Sequence, residues 1–423
     1  MSTPATPPSN ATRGCGSVSI HLFRQLIESR CLASVCLVFC VLATAFGGEG
    51  DRVQTAVYYF PNWGPVATSE WGLIQAAQPQ FEGHLQPKIP AWGYEDENDP
   101  AVMARKIEAA AAHGIDAFIF DWYFFDPQPE AEKATGSTPW DGQKYLSRAL
   151  ESGFLKAPNN NSIRFAIMWC NHDVGPVKGA VTPATFDTLT SYVVETYFRH
   201  PSSWKIDGKP YFSIYELKTF LETFGNDLDA AAAALDRFRA KAKAAGFPGV
   251  HLNAVLWGLP RELPDDAIRR LGFDSTTSYV WIHHNVLPDF PATDYAKAAA
   301  AYFGSVKEGG GSNGLDRPAA SLPVPYHPNV SMGWDSSPRC RNAPDWASRR
   351  DYPFGAVMVN NTPAAFREAL ERAKALAAAN PPGQRIVTLN AWNEWGEGSY
   401  LEPDTTHGLG YLEAVRDVFG PRP

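Results

Sequence analysis

Short apolar runs alternate with segments of helical period along the chain from residue 53 onward. Short apolar runs bounded by turn signals are typical of buried strands, and alanine-rich amphipathic stretches are typical of helices. The predicted strands are residues 55–60, 117–121, 164–169, 211–215, 250–256, 275–280, 322–326 and 386–391. The predicted helices are residues 100–113, 142–151, 185–199, 227–245, 295–303 and 362–379, with a last helix at 409–419. Eight strand–helix units predict an α/β fold, a single (β/α)8 TIM barrel.

Three connections that follow predicted strands are long, at residues 61–99, 126–141 and 283–322. Loops of this length in a compact domain are usually functional or disordered. No internal repeat and no second domain interrupts the pattern. We therefore expect residues 49–423 to form one domain with long βα loops.

Residues 1–48 form a separate segment, in which a Pro/Ser/Thr-rich lead with three arginines precedes an apolar run at residues 31–46 that ends in small residues. This order is typical of a secretory signal peptide, and the run is short for a membrane span. Four of the six cysteines lie here, which leaves Cys170 and Cys340 and no disulfide framework. We expect a secreted or periplasmic protein without stable membrane insertion after leader cleavage. An uncleaved membrane anchor is the alternative.

The bulk composition narrows the classes of partner and cofactor. Charged residues make up 19% of the chain, the net charge is −8, and the 13% aromatic content includes 13 tryptophans. Nothing in this balance favours nucleic acid or anionic membranes as partners. No His-x-x-x-His, Cys-x-x-Cys or Gly-Lys-Ser/Thr pattern is present. We therefore expect neither a metal ion nor another cofactor.

The strongest chemical signal lies where the last predicted strand runs into Glu394 and Glu397, which are set among Trp392 and Trp395. Breaking a sugar acetal requires one carboxyl group that delivers a proton and another that supplies negative charge or takes a proton. The plain alternative is that these glutamates cap a strand end or pair with arginines. The strand-end position and the tryptophans favour a catalytic pair, and the sequence therefore predicts a carbohydrate enzyme.

Several motifs resemble the WbsX-like branch of glycoside hydrolase family 99, and the resemblance runs through nearly the whole chain after residue 52. The motifs are Tyr58-Tyr-Phe-Pro-Asn-Trp63, His84-Leu-Gln-Pro87, Trp92-Gly-Tyr-Glu-Asp-Glu-Asn98, Gly114-Ile-Asp-Ala-Phe-Ile-Phe-Asp-Trp-Tyr123, Arg199-His-Pro-Ser-Ser-Trp204, Asp207-Gly-Lys-Pro-Tyr211 and Ala391-Trp-Asn-Glu-Trp-Gly-Glu-Gly398. The last of these, followed by Glu402-Pro403, is the most specific.

The resemblance implies a barrel enzyme that cleaves α-mannosidic linkages within a chain, with retention and without a metal. It also implies that Glu394 deprotonates the sugar's own 2-hydroxyl to give a transient 1,2-anhydro sugar, and that Glu397 is the general acid/base. A neighbouring hydroxyl is held at high effective concentration and needs only a base to become a nucleophile. In these roles Glu397 should have a pKa raised by burial against rings such as that of Trp395, while Glu394 stays charged.

Further residues at strand ends and in the motifs are candidates for binding the sugar. Barrel active sites lie where the strands end, and aromatic rings beside polar groups suit sugar stacking. Asp121 is the candidate for hydrogen-bonding a substrate hydroxyl or orienting the pair, and its plain alternative is to cap the next segment. The other candidates are Tyr58, His84, Gln86, Trp122, Asn171, His172, Tyr215, Trp392 and Trp395.

The leading interpretation is a glycoside hydrolase that acts on a polysaccharide or glycan. A glycosyltransferase or transglycosylase of surface-polysaccharide biosynthesis is an alternative, because the WbsX-like branch is also associated with sugar transfer. A nucleotide-sugar transferase would ordinarily need a Rossmann-like half, which the barrel pattern opposes. A non-catalytic carbohydrate-binding barrel is a third interpretation, and the presence of both glutamates disfavours it.

Overall fold

Eight parallel strands ring the centre of the molecule in the computed structural model, which describes residues 52–64, 70–128, 139–259 and 266–422. The strands are β1 (Gln54–Tyr59), β2 (Ala117–Phe124), β3 (Arg164–Trp169), β4 (Lys209–Ile214), β5 (His251–Val255), β6 (Ser275–Thr277), β7 (Tyr326–His327 and Asn329–Ser331) and β8 (Ile386–Asn390). The predicted (β/α)8 barrel is confirmed.

Strand β7 closes the ring although it is split in two. Its first segment pairs with β6, with Tyr326 opposite Thr276, and its second segment pairs with β8, with Asn329 opposite Thr388. Pro328 separates the two segments and has no backbone N–H to give to either neighbour. The carboxyl ends of all the strands therefore face one mouth of the barrel.

The helices surround this ring, and polar caps fix where several of them begin. They are α1 (Glu70–Ala76), α2 (Pro100–Ala112), α3 (Pro183–Tyr192), α4 (Leu217–Glu222), α5 (Leu228–Ala244), α6 (Ala267–Arg270), α7 (Tyr295–Glu308), α8 (Pro363–Ala377) and α9 (Gly410–Phe419). Asp99 caps α2 and Thr362 caps α8, in each case by accepting a backbone N–H of the first turn, with proline at the start of the helix. Among the described residues, no helix has the length and apolar content needed to cross a bilayer.

Short paired strands shape the loops at the mouth. Trp140–Asp141 and Lys144–Tyr145 form a hairpin against the end of β2, and Ala292–Asp294 pairs in parallel with Val357–Val359. Asn393–Glu394 pairs with Ser399–Tyr400 directly after β8. Lys205–Ile206 instead pairs with the start of β4, at the end of the barrel opposite the mouth.

A small hydrophobic cluster, separate from the main core, supports the long loop after β7. It consists of Cys340, Trp346, Phe354 and Val357. We call these four residues the loop cluster. Its packing gives this loop a fixed shape even though the loop has almost no regular secondary structure.

Two sequence predictions of secondary structure were wrong, one in where a strand begins and one in the type of element. The strand predicted at 322–326 begins only at Tyr326, because Pro323 and Pro325 have no N–H to donate to a neighbouring strand. The helix predicted at 142–151 is instead a strand followed by a π-helical turn, Ala149–Gly153, because residues 144–145 pair with the last two residues of β2. The predicted leader, residues 1–48, lies outside the described residues.

Candidate active site

A cavity of about 910 Å³ opens at the carboxyl ends of the barrel strands. Each barrel strand, or the loop that follows it, contributes to the wall. Five of the residues singled out in the sequence meet here: Asp121, His172, Tyr215, Glu394 and Glu397. The structure thus brings both glutamates, from a single loop, to the same cavity as residues from β2, β3 and β4.

The backbone of the loop after β8 aims both glutamates into the cavity. Asn393 fastens this loop to β1, because its amide side chain both accepts the N–H of Phe60 and donates to the carbonyl of Phe60, each at 2.8 Å. Gly398 then turns the chain with a φ of +64°, and a side chain there would collide with Lys88 and Asp335. Only glycine fits that turn at low cost.

Arg339 is the cation of the site. Its Nη2 donates to Glu394 Oε1 at 2.7 Å, its Nη1 lies 3.5 Å from Glu70, and its Nε lies 4.0 Å from Glu397 Oε1. A Cβ on Gly396 would lie 2.8 Å from Arg339 Nε, so the missing side chain leaves room for the guanidinium. Three carboxyl groups thus share one partly buried positive charge.

The two glutamates lie close enough to interact electrostatically, and Glu394 is the more deeply buried of the two. Glu394 is only 3% exposed. Burial and the nearby Glu397 raise the pKa of Glu394 well above its usual range, against the opposing effect of Arg339. Burial also raises the pKa of Glu397, which Arg339 and a hydrogen bond from Tyr352 oppose. Two such groups release their protons in separate steps, so the pair holds a single proton over an interval of pH.

The raised pKa of Glu397 suits an acid. The raised pKa of Glu394 differs from the expectation that this group stays charged, because the sequence did not reveal that Glu394 is buried beside both Glu397 and Asp121. Arg339 remains the contact that favours a charged Glu394 whenever Glu397 holds the proton.

Asp121 is a third carboxyl group in the cavity wall. It is 4% exposed, and Tyr279 donates its hydroxyl to Oδ2 at 3.0 Å. Oδ1 is buried and has no hydrogen-bond partner among the described residues. Burial raises the pKa of Asp121 well above its usual range, and the unpartnered Oδ1 is available to a ligand hydroxyl.

The remaining wall is largely aromatic. Tyr215 packs edge-on against Tyr279 and His172, with ring centroids 5.5 and 5.6 Å apart. Trp257 and His283 stack at 3.8 Å on the far side, and Trp334 lies beside the glutamates. Rings beside polar groups are what a sugar needs for stacking and hydrogen bonding.

Five sequence candidates lie outside the cavity wall, in the core. Tyr58 is fully buried and donates to the Ser278 carbonyl, Trp122 donates to Tyr197, and Trp392 packs against Phe118. Trp395 stacks on Tyr400 at 3.6 Å and donates to Glu402, and Asn171 is hydrogen-bonded to the backbone of Glu216. We therefore revise their expected role from sugar contact to packing and loop support. Successive side chains of a strand point in opposite directions, so some residues at a strand end face the core and not the cavity.

His84 and Gln86 also lie outside the cavity wall, and both bind Asp335. The side chains of His84, Gln86 and Lys88 contact Asp335 Oδ2 at 3.0, 2.7 and 3.1 Å. Burial acts in the other direction, but Lys88 and His84 hold the pKa of Asp335 far below its usual range. The backbone N–H of Asp335 donates to the Glu397 carbonyl. These motif residues therefore hold the loop that carries Glu397, and they do not line the cavity.

A second buried ionic group, the Glu97–Lys106–Glu402 triad, lies behind the glutamates. Lys106 of helix α2 contacts both Glu97, at 2.6 Å, and Glu402. Asn393 donates to Glu97, and Trp395 donates to Glu402. Burial raises the pKa of Glu97 to about 7. The triad thus fixes the residues on either side of Glu394.

Several cavity residues were not anticipated, among them Glu70, Arg339 and Tyr352. Arg339 and Tyr352 come from the loop after β7, where the sequence has no helical or strand period, and Glu70 lies in an insertion. Among the described residues, no group of three or more His, Cys, Asp or Glu side chains is arranged to hold a metal ion.

Comparison with known proteins gives both a family and a fold. The family model described as glycosyltransferase WbsX matches residues 61–415. The uncharacterized protein WxcX from two strains of Xanthomonas campestris pv. campestris is 26% identical over 391 and 400 residues, covering 86% of this chain and 49% of each relative. The chain therefore spans about half the length of the curated relatives that it matches.

Two solved structures have the same fold. A glycoside hydrolase-like protein has 15% identity and a TM-score of 0.57, with 87% of this chain and 94% of that chain covered. The GH99 endo-alpha-mannosidase from Bacteroides thetaiotaomicron has 16% identity and a TM-score of 0.52, with 87% and 96% covered. Identities this low show the shared barrel alone. Because the family model covers most of the sequence, the chain belongs to the WbsX glycosyltransferase family.

Proposed function

We propose that this protein is a glycoside hydrolase that cleaves a polysaccharide or glycan with retention of anomeric configuration. The observation that carries the proposal is the pair Glu394 and Glu397, which line one cavity with aromatic walls at the barrel mouth. A coupled pair that holds one proton supplies both an acid and a base at the same pH.

In the proposed reaction, Glu397 protonates the leaving oxygen while Glu394 takes the proton from the sugar's 2-hydroxyl. The hydroxyl oxygen then attacks the anomeric carbon as the bond to the leaving oxygen breaks, which gives a 1,2-anhydro sugar. Water next attacks the anomeric carbon while Glu397 removes its proton, the bond from the anomeric carbon to O2 breaks, and Glu394 returns its proton to O2. Arg339 contributes by stabilising Glu394 as a carboxylate, and Asp121 by hydrogen-bonding a ring hydroxyl.

The proposed substrate is a glycan with α-mannosidic linkages, cut within the chain. Two observations support this choice: the motif resemblance to glycoside hydrolase family 99, and the barrel shared with an endo-alpha-mannosidase of that family. The cavity also extends from the glutamates to Trp257 on the opposite wall, so it has room for sugars beyond the one that reacts.

The test is a screen of the purified protein against α-mannans and other polysaccharides, with proton NMR of the first anomer released. Release of the retained anomer agrees with the anhydro-sugar route. Initial inversion would contradict it, because one displacement by water inverts the anomeric centre.

Replacing either glutamate by glutamine is expected to lower kcat by about two orders of magnitude or more. Glutamine keeps the size of the side chain but neither ionises nor donates a carboxyl proton. Circular dichroism and the urea midpoint check that Glu394→Gln and Glu397→Gln remain folded. Unchanged turnover in either folded variant would remove that residue from the proposed mechanism.

A second candidate, transglycosylation, is favoured by the name of the family, which describes its members as glycosyltransferases. The same pair would act, with a sugar hydroxyl in place of water as the acceptor. Adding acceptor oligosaccharides during turnover and measuring the ratio of transfer product to free sugar distinguishes the two. Transfer that dominates at millimolar acceptor would favour the transferase.

We further propose that residues 1–48 are a leader that directs the protein to the periplasm or exterior. The support is the order of arginines, apolar run and small residues at 31–48. N-terminal sequencing of the protein recovered from each cell fraction tests this. Intact protein confined to the membrane fraction would favour the anchor instead.

A further inference from the structure

Tyr352 makes an unusual contact with the acid of the proposed pair. Its hydroxyl donates to Glu397 Oε1 at 2.9 Å, although the residue as a whole is 57% exposed. The other tyrosine that binds a carboxyl group in this cavity, Tyr279, is buried at 8% exposure. Tyr352 thus reaches down to Glu397 from the solvent side of the mouth.

That hydroxyl takes up hydrogen-bonding capacity that the leaving oxygen of a sugar needs. A general acid must lie within hydrogen-bond reach of the oxygen that it protonates. The two partners have opposite polarity, because the tyrosine O–H donates to Glu397 whereas a glycosidic oxygen can only accept from it. The hydrogen bond from Tyr352 therefore occupies Glu397 Oε1 as an acceptor and favours the carboxylate form, whereas protonating a leaving oxygen requires the acid form.

The backbone beside Tyr352 is fixed while its ring is free. The carbonyl of Pro353 accepts hydrogen bonds from Ser336 Oγ at 2.8 Å and Cys340 Sγ at 3.3 Å, which ties the chain to the loop cluster. The closest aromatic ring to that of Tyr352 is Trp334, at 6.3 Å between centroids. An exposed side chain with so little packing changes rotamer easily, so the ring can leave Glu397 without movement of the loop.

We propose that Tyr352 is a side-chain latch, which holds Glu397 in the free protein and rotates away when a glycan places its glycosidic oxygen against this carboxyl group. The inference rests on the proposed function, since it assumes that Glu397 is the acid. It assigns to Tyr352 a positioning role that lowers the apparent affinity for substrate.

The exchange also moves a proton within the pair. The pKa values of Glu394 and Glu397 respond to the charged and titratable groups around them. Besides the two glutamates themselves, these groups are Arg339, Glu70, Asp121, His172 and Tyr352. With Tyr352 in place, its donated hydrogen bond favours Glu397 as the carboxylate and leaves the shared proton on Glu394. When a glycosidic oxygen replaces Tyr352, the proton passes from Glu394 to Glu397. The pair neither gains nor loses a proton, and Glu394 becomes the carboxylate beside Arg339.

The test is the change in kcat and KM caused by Tyr352→Phe, measured on soluble α-mannan or on the polysaccharide that the parent cleaves. Phenylalanine keeps the ring but cannot hold Glu397, so the substrate no longer displaces a hydrogen bond to a charged group. We expect KM to fall about threefold to tenfold, with kcat unchanged within about twofold. Tyr94→Phe, an exposed tyrosine outside the cavity, is the matched control and should change neither constant.

A calorimetric titration separates this inference from the function on which it rests. In the Glu394→Gln background, which retains Glu397, adding Tyr352→Phe should tighten glycan binding by the same factor. A higher KM, a lower kcat or weaker binding in the Tyr352 variants would overturn the latch and leave the hydrolase intact. If the parent protein neither binds nor cleaves any polysaccharide in the screen, the proposed function fails and the latch fails with it.

Discussion

Arg339 decides the charge of the site, because it is the cation that contacts the carboxyl groups of Glu70, Glu394 and Glu397. An opposite charge at this distance favours the ionised form of a carboxyl group. The proposed reaction needs the pair to hold one proton. The pH interval in which it does so therefore depends on this guanidinium, together with burial and the hydrogen bond from Tyr352.

Replacing Arg339 by methionine should move the bell-shaped pH profile of kcat/KM upward. The sign follows because removing a positive charge raises the pKa of both carboxyl groups, so the singly protonated pair persists to higher pH. We expect a shift of roughly one pH unit or more, with loss of activity at the parent's optimum. An unmoved profile in a folded variant would contradict this role.

Two controls sharpen the measurement on Arg339. Arg339→Lys keeps the charge but loses the planar fork, so it should retain part of the activity and most of the parent's pH profile. Arg372→Met removes an exposed arginine of helix α8, far from the cavity wall, and should leave the profile unchanged.

At the scale of elements, helix α2 is connected through Lys106 to the loop that carries Glu394 and Glu397. Its ammonium group lies between Glu97 and Glu402, whose other contacts hold Asn393 and Trp395. Burial acts in the other direction, but Glu402 and Glu97 together raise the pKa of Lys106, so it stays charged. A change in this helix is therefore transmitted to both neighbours of Glu394.

Replacing Lys106 by methionine should lower the free energy of unfolding by about 3–5 kcal/mol, because it leaves two buried carboxyl groups without their cation. Urea denaturation followed by circular dichroism measures the change. Glu97→Gln is the matched variant, since it removes the extra negative charge and keeps a hydrogen-bonding side chain, and it should cost much less. Equal losses in the two variants would mean that packing, rather than charge, dominates.

The elements also show how far the sequence could be interpreted. Strands β1, β3 and β8 could be predicted closely, because each is an apolar run with a polar strand end. The seventh strand and the segment at 142–151 could not, because alternate prolines and pairing with another strand override the local pattern.

The carboxylate pair could be predicted from the sequence because both glutamates lie in one short motif. Tyr352 could not, since its contact with Glu397 depends on how the loop cluster folds. The hydrogen-bond partner of His84, Asp335, is 251 positions away in the chain, so motif spacing in the sequence cannot reveal it.

At the scale of the whole molecule, the barrel interior contains buried histidines that do not take part in the proposed chemistry. His251 and His327 stack 6.3 Å apart on strands β5 and β7. Burial lowers the pKa of His251 to about 4 and that of His327 to about 3. Both nitrogens of His327 are without a hydrogen-bond partner among the described residues.

These histidines predict acid sensitivity of the fold. The folded pKa lies below the value of about 6.5 for an unfolded histidine, so the unfolded chain binds more protons, and stability is lost as pH falls from about 6.5 toward 4. Each group contributes a slope of at most ~1.4 kcal/mol per pH unit in that window. His327→Gln should reduce the slope of unfolding free energy against pH below 6.5 and leave the slope above pH 7 unchanged. An identical slope in parent and variant would contradict the assignment.

Asp335 joins loops that lie far apart in the sequence. Its carboxylate binds side chains of the loop after β1, while its backbone donates to the loop after β8 that carries Glu397. Loop exchange between members of this family would therefore have to transfer the loops after β1, β7 and β8 together. A chimera that takes only one of these segments would lose the contacts of Asp335 and, with them, the position of Glu397.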